Sequence, residues 1–118
     1  MTDQELIARA EDLSAAWNQR DLERIVCAFS PEVRFRDGRE PPQVGREAIR
    51  ADAERMLSAF PDLVLEVRRT VASAQVVTQE WTLRAGRSRM ELAGVSVADY
   101  DHAGRIERFS RYWSAFEP

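Results

Sequence analysis

Trp17-Asn18-Gln19-Arg20-Asp21-Leu22, then Phe35-Arg36-Asp37, then Gly45-Arg46-Glu47-Ala48-Ile49 is the order of residues that decides the fold. It reads as a helix end, a tight turn, a second helix, a strand closing on an acid, and a glycine opening a third helix. Upstream, Leu6, Ala10, Leu13 and Trp17 recur at helical spacing, with Ile7 beside them. Thr2-Asp3-Gln4-Glu5 offers a capping box. The first helix is therefore expected over Asp3 to Asn18, with Asn18-Gln19-Arg20 as the turn. Asp21 can cap a second short helix whose inner face is Leu22, Ile25, Val26 and Phe29, with Pro31 just past its end.

Val33 to Asp37 alternates apolar and polar, the pattern of a half-buried strand. Gly38 to Val44, with Pro41-Pro42, reads as a loop and a rim element. The third helix carries Ile49, Ala53, Met56, Leu57 and Phe60. Four strands follow, over Leu63 to Val71, Gln75 to Arg84, Ser88 to Tyr100 and Arg105 to Trp113. Their connections are Ala72-Ser73-Ala74, Ala85-Gly86-Arg87 and Asp101-His102-Ala103-Gly104. Short turns between consecutive strands imply an antiparallel meander. Helices first and strands after give an α+β class, one domain over residues 1–118. A curved sheet folded around three helices leaves a pocket open at one end.

Composition narrows the function. The chain of 118 residues is 44% hydrophobic and 31% charged, as expected of a globular domain with one core. A net charge of −3 argues against a nucleic-acid partner. No run approaches the roughly 18 apolar residues of a membrane span. The acidic, polar start is unlike a signal peptide, so a cytoplasmic location is expected. The lone Cys27 forms no internal disulfide and, among Ile25, Val26 and Phe29, reads as buried and inert. All 17 basic residues are arginine, which removes lysine Schiff-base chemistry. With a single histidine, His102, in a turn, a histidine-rich or cysteine-rich metal site is not available. No glycine-rich phosphate loop occurs, so no cofactor is expected.

With Phe60-Pro61-Asp62-Leu63, Gly94-Val95-Ser96-Val97, Gly104-Arg105-Ile106 and Tyr112-Trp113 added, the order of elements resembles the nuclear-transport-factor-2-like superfamily. Within it the chain is most similar to the SnoaL-like polyketide cyclases and the ketosteroid isomerases. The resemblance implies a cone of three N-terminal helices in a strongly curved, mainly antiparallel sheet, with one deep apolar cavity. Beside the ketosteroid isomerases, Asp37 matches the catalytic base, and the two oxyanion donors fall at Leu13 and Ser96. Leu13 cannot donate a hydrogen bond, so a steroid-type isomerase is disfavoured. Beside the limonene epoxide hydrolases, the catalytic arginine and first aspartate fall at Glu80 and Thr82, and the second aspartate at Arg111. The triad is thereby lost. Where SnoaL-like cyclases commonly carry an acid near the last strand, Ser114 stands.

The candidate catalytic residues are Asp37, Glu80 and Arg111. A partly desolvated Asp37 would have a raised pKa and exchange protons near neutrality. Strand parity puts Glu80 and Thr82 on one face and Trp81 and Leu83 on the other. If the first face is the cavity, Glu80 is a second titratable group and can pair with Arg111; if not, it is a solvated or interfacial acid. Trp17, Met56, Phe60, Thr82, Ser96, Tyr112 and Trp113 are candidate ligand contacts. Gly94, alone in a strand, can mark a bulge. The expected function is cyclisation or isomerisation of a small hydrophobic, polyketide-like or carbonyl compound by general acid/base catalysis, without metal or cofactor. The alternatives are a non-catalytic ligand-binding module and a structural homodimer. Val95, Val97, Phe109, Trp113 and Trp81 exceed what one small domain hides, so a homodimer through the convex sheet face is expected. Gel filtration at micromolar concentration should give a dimer; a clean monomer would refute it.

Overall fold

A computed structural model describes residues 1–115. Three helices, α1 (Asp3–Asn18), α2 (Leu22–Cys27) and α3 (Arg46–Ala59), pack against a six-stranded sheet. Its strands are β1 (Phe29–Asp37), β2 (Gln43–Val44), β3 (Val64–Ser73), β4 (Val76–Ala85), β5 (Met90–Tyr100) and β6 (Ile106–Ala115). Their spatial order is β2-β1-β6-β5-β4-β3. Only the β1–β6 pair is parallel, so the sheet is mixed, open and mainly antiparallel. This is the expected α+β architecture. No helix is long and apolar enough to cross a membrane among the described residues.

The turn after α1 ties three elements together. The Thr2 hydroxyl accepts from the Glu5 amide and the Glu5 carboxylate from the Thr2 amide, so the capping box starts α1 as its sequence dictates. At the other end, the Asn18 side chain both donates to the Leu65 carbonyl and accepts from the Leu65 amide, at 2.9 and 2.8 Å. It thereby imitates a neighbouring strand at the start of β3. Arg20 adopts φ 58° and sends its guanidinium to the Leu57 and Phe60 carbonyls at 2.7 and 3.1 Å. The Leu57 carbonyl is one that the end of α3 leaves unsatisfied, and the Phe60 carbonyl, already taken by the Leu63 amide, gains a second donor. Asp21 caps α2 through the Arg24 amide.

Several boundaries differ from the sequence reading. Helix α2 stops at Cys27, and Phe29 already opens β1 rather than closing the helix. The Ala28 carbonyl is taken by the Ile106 amide at 2.9 Å, and Arg46 holds the Phe29 carbonyl at 2.8 Å. Those tertiary bonds pull the chain out of the helix. Pro31 lies inside β1, where the pairing with β6 shifts register between Phe29 and Arg34, as a strand proline requires. The last two residues of the expected 38–44 loop form β2 against Arg34 and Phe35. The β3–β4 connection is a two-residue turn, Ala74-Gln75, with φ 51° and 68°, not Ala72-Ser73-Ala74. Cys27, the last residue of α2, is exposed and not buried with Ile25 and Val26.

The core has two parts. One gathers Leu6, Ile25, Phe29, Val33, Phe35, Val77 and Ile106; the other gathers Leu63, Trp81 and Leu83, with Met56 and Phe60 against them. Of the five residues behind the dimer expectation, Trp81 is buried, and Phe109 packs edge-on to Phe29 at 5.4 Å. They need no partner chain. Val95 and Tyr112 border a shallow groove on the opposite face.

Replacing Arg20 by methionine keeps the stem and deletes both charge-assisted bonds to the end of α3. A loss of about 2–3 kcal/mol is expected. Denaturant unfolding measures it, and a variant as stable as the parent would show that the cap contributes nothing.

Candidate functional site

Between the two parts of the core lies a cavity of about 90 Å³, walled mainly by apolar side chains of α1, α3 and the inner face of the sheet. One polar row crosses its floor. Thr70 on β3, Gln79 on β4, Ser96 on β5, Arg111 on β6 and Asp37 on β1 are successive register partners. Gln79, Ser96 and Arg111 from that row line the cavity. Gln79 is steadied by a bond to the Thr70 hydroxyl at 3.3 Å. The rows on either side are apolar: Trp81, Gly94 and Trp113 above, and Val77, Ala98 and Phe109 below.

Arg111 is the centre of the site. Its Nε and Nη2 donate to the two oxygens of Asp37 at 2.8 and 3.0 Å, a bidentate fork. Nη2 also donates to Asp52 Oδ1 on α3 at 2.5 Å. Asp52 Oδ1 accepts again from Arg55 at 3.0 Å, whose side chain is 66% exposed. The Arg111 guanidinium lies 5.2 Å from the centroid of the Phe35 ring. Its Nη1 makes no hydrogen bond among the described residues, so one donor edge of this largely buried cation is left unpaired.

The charges are fixed by this contact set. Burial alone would pull the Arg111 pKa down; the Asp37 and Asp52 carboxylates outweigh it and hold the guanidinium charged. Asp37 is held below the ordinary carboxylate value, chiefly by the Arg111 hydrogen bond against the opposing effect of burial. The Trp113 indole N–H, at 3.2 Å from Asp37 Oδ1, adds to the lowering. A raised Asp37 pKa was expected from desolvation; the guanidinium reverses its sign.

The other sequence-derived residues divide. Trp17, Met56 and Ser96 line the cavity, as does Leu13. Trp113 is not among the cavity-lining residues; it is half exposed, borders the groove of the far face and donates its indole N–H to Asp37. Phe60 packs beside the cavity with Leu63 and Trp81, and its carbonyl receives Arg20. Trp81 and Leu83 face the cavity, so alternation sends Glu80 and Thr82 to the far side of the sheet. Glu80 is exposed there, 3.9 Å from Arg69, and forms no pair with Arg111. Thr82 is buried with an unpartnered hydroxyl, and Tyr112 is half exposed on the same far face. His102 sits exposed in its turn. Asp52 was not singled out from sequence. Its signal is an acid three residues after Ile49 and four before Met56, on the apolar stripe of α3.

Gly94 marks no bulge; its pairing with Trp81 and Trp113 is regular. A Cβ there would come within 2.6 Å of the Trp81 ring and of the Tyr112 carbonyl. The missing side chain is the space in which the indole lies across β5 and closes one cavity wall.

A family model described as a SnoaL-like domain matches residues 10–109. No curated protein matches the chain by sequence. Among solved structures, a SnoaL-like protein of unknown function from Burkholderia thailandensis is 18% identical, with a TM-score of 0.84 over 97% of this chain and 98% of its own. SalBIII, an epoxide hydrolase/cyclase-like enzyme of pyran ring formation in the polyether salinomycin, is 17% identical, with a TM-score of 0.83 over 94% and 92%. A protein of Kribbella flavida, classed provisionally as a ketosteroid isomerase, is 22% identical, with a TM-score of 0.82 over 98% and 83%. At these identities the likeness is one of fold.

Replacing Arg111 by methionine leaves Asp37 with only the Trp113 indole and Asp52 with only Arg55, and should cost roughly 3–5 kcal/mol at neutral pH. The parent keeps the stabilisation from Asp37 above the ordinary carboxylate range, about pH 4, and loses it as pH falls through the lowered folded value. In the variant burial raises the Asp37 pKa, so acidification should narrow the gap to the parent. Urea unfolding at several pH values reads both slopes; parallel curves would contradict the clamp. Gly94→Ala should cost about 1–3 kcal/mol and change the tryptophan emission as the Trp81 ring is displaced.

Proposed function

Because the chain belongs to the SnoaL-like domain family and closes its apolar cavity on one clamped guanidinium, we propose that it is a cyclase or isomerase acting by general acid/base catalysis. The substrate is a small, largely apolar compound with a carbonyl group, of polyketide type, and the cycle needs no cofactor. The observation that carries this reading is that Arg111 lines the cavity with Nη1 unpaired and two carboxylates fixed against its other nitrogens. A charged donor held in place before the reaction stabilises negative charge developing on a substrate oxygen, and an apolar wall strengthens it by excluding water. An adjacent carboxylate can take the proton whose loss creates that charge. Ser96, next to Arg111 in the polar row, can donate a second hydrogen bond. The pyran ring formation associated with SalBIII is in keeping with ring closure as the reaction type.

A non-catalytic ligand-binding module is the second reading. It is favoured by Asp37, whose two oxygens are both engaged and whose pKa is lowered, which makes it a poor base.

Exchange of the α-hydrogens of cyclohexanone in heavy water, followed by proton NMR, separates the two. The enzyme reading expects acceleration by the parent and a loss of about 10²–10³-fold in Arg111→Lys, whose point charge cannot replace the fork. Tryptophan fluorescence reports occupancy through Trp17 and Trp81, which line the cavity. Occupancy without acceleration would leave the binding module.

A further inference from the structure

The two acids that hold Arg111 are not equivalent, and the difference assigns their roles. Asp37 spends Oδ1 on Arg111 Nε and the Trp113 indole, and Oδ2 on Arg111 Nη2. Each Asp37 oxygen therefore already carries at least one protein donor. Asp52 spends Oδ1 alone, on Arg111 and Arg55. Its Oδ2 has no protein donor among the described residues and is not among the sealed, unpartnered atoms. Asp52 lines the cavity, and its side chain is 6% exposed.

Resting on the acid/base reading above, we infer that Asp52 Oδ2 is the proton acceptor of this cavity and that Asp37 is a positioning residue that orients Arg111. The same geometry selects the ligand. Asp37, Asp52 and Arg111 together carry one excess negative charge, and Arg55 offsets it only from the solvent side. With Arg55 counted the cluster is neutral, so a carboxylate ligand meets no net attraction. A neutral molecule with an acceptor for Arg111 Nη1 and an acidic C–H or O–H facing Asp52 is matched on both ends. The placement is rigid, because Asp52 rises from the middle of α3 between Ile49 and Met56, and both neighbours also wall the cavity.

The probe 5-nitrobenzisoxazole tests the assignment without knowledge of the natural substrate. It is neutral and carries one acidic C–H. That proton would pass to Asp52 Oδ2 while the C–H electron pair forms the nitrile and the N–O bond breaks. The leaving phenolate oxygen takes the negative charge, faces Arg111, and is read by its absorbance. Asp52→Asn should lower kcat by 10²-fold or more. Asp37→Asn should lose less than Asp52→Asn and leave the pH dependence of kcat unchanged, as a positioning residue would. Asp52→Ala should regain turnover on addition of formate, which fills the vacated carboxylate position; loss of packing alone would not be rescued in this way. Turnover abolished by Asp37→Asn and spared by Asp52→Asn would overturn the assignment while the acid/base reading stood. Tryptophan quenching by the probe without turnover in the parent would also overturn it, leaving a binding cavity. If the probe neither quenches nor turns over, and cyclohexanone exchange is not accelerated either, the proposal falls together with the function beneath it.

Discussion

A guanidinium cannot be taken out of water without partners that return what hydration supplied, and Arg111 sets the terms for the rest of this molecule. Its side chain is 16% exposed and reaches an acid on each of two other elements, at the end of β1 and within α3. Desolvating the ions costs several kcal/mol each, which only near-ideal geometry offsets. The bidentate fork to Asp37 and the 2.5 Å contact to Asp52 provide it. The clamp therefore constrains how β1, β6 and α3 lie relative to one another. The hollow between them is bounded by elements that cannot shift independently.

Around that clamp the sheet is organised in rows. A polar row from Thr70 to Asp37 is flanked by rows of aromatic and aliphatic side chains. In an apolar cavity, such a row concentrates hydrogen-bonding capacity along one line, which fixes how a ligand can be oriented. The row's order also explains why the tryptophans differ in role. Trp81 can lie inward because Gly94 opposite it leaves room, whereas Trp113, on the far side of Gly94, is half exposed and braces Asp37.

Much of this was legible in the residues. Helical periodicity, the capping box at Thr2 and Glu5 and the alternation in Val33 to Asp37 are local, and local chemistry decides them. The resemblance to the SnoaL-like family rested on their order and agrees with the matched domain. What sequence could not supply was the choice between equivalent options. Parity divides β4 into two faces but is symmetric, so it cannot say that Trp81 rather than Glu80 turns inward; Gly94 on the adjacent strand helps decide that. The end of α2 was misplaced because Arg46 and Ile106, distant in the chain, claim the carbonyls of Phe29 and Ala28. The Ala74-Gln75 turn carries none of the glycine or asparagine that usually announces two left-handed residues. Asp52 left a readable trace, an acid within the apolar stripe of α3, but a charge there acquires meaning only once its counter-ion is known.

The parallel pairing of β1 with β6 joins an early part of the chain to its final strand. Arg111 follows Asp37 by 74 residues and Asp52 by 59. During synthesis, both acids leave the ribosome long before their cation does. Until that strand docks, Asp37 lacks its fork and Asp52 keeps only Arg55. Closure of the cavity and completion of the clamp then belong to a single late event, so a nascent chain halted before β6 would carry both acids without the cation that joins them.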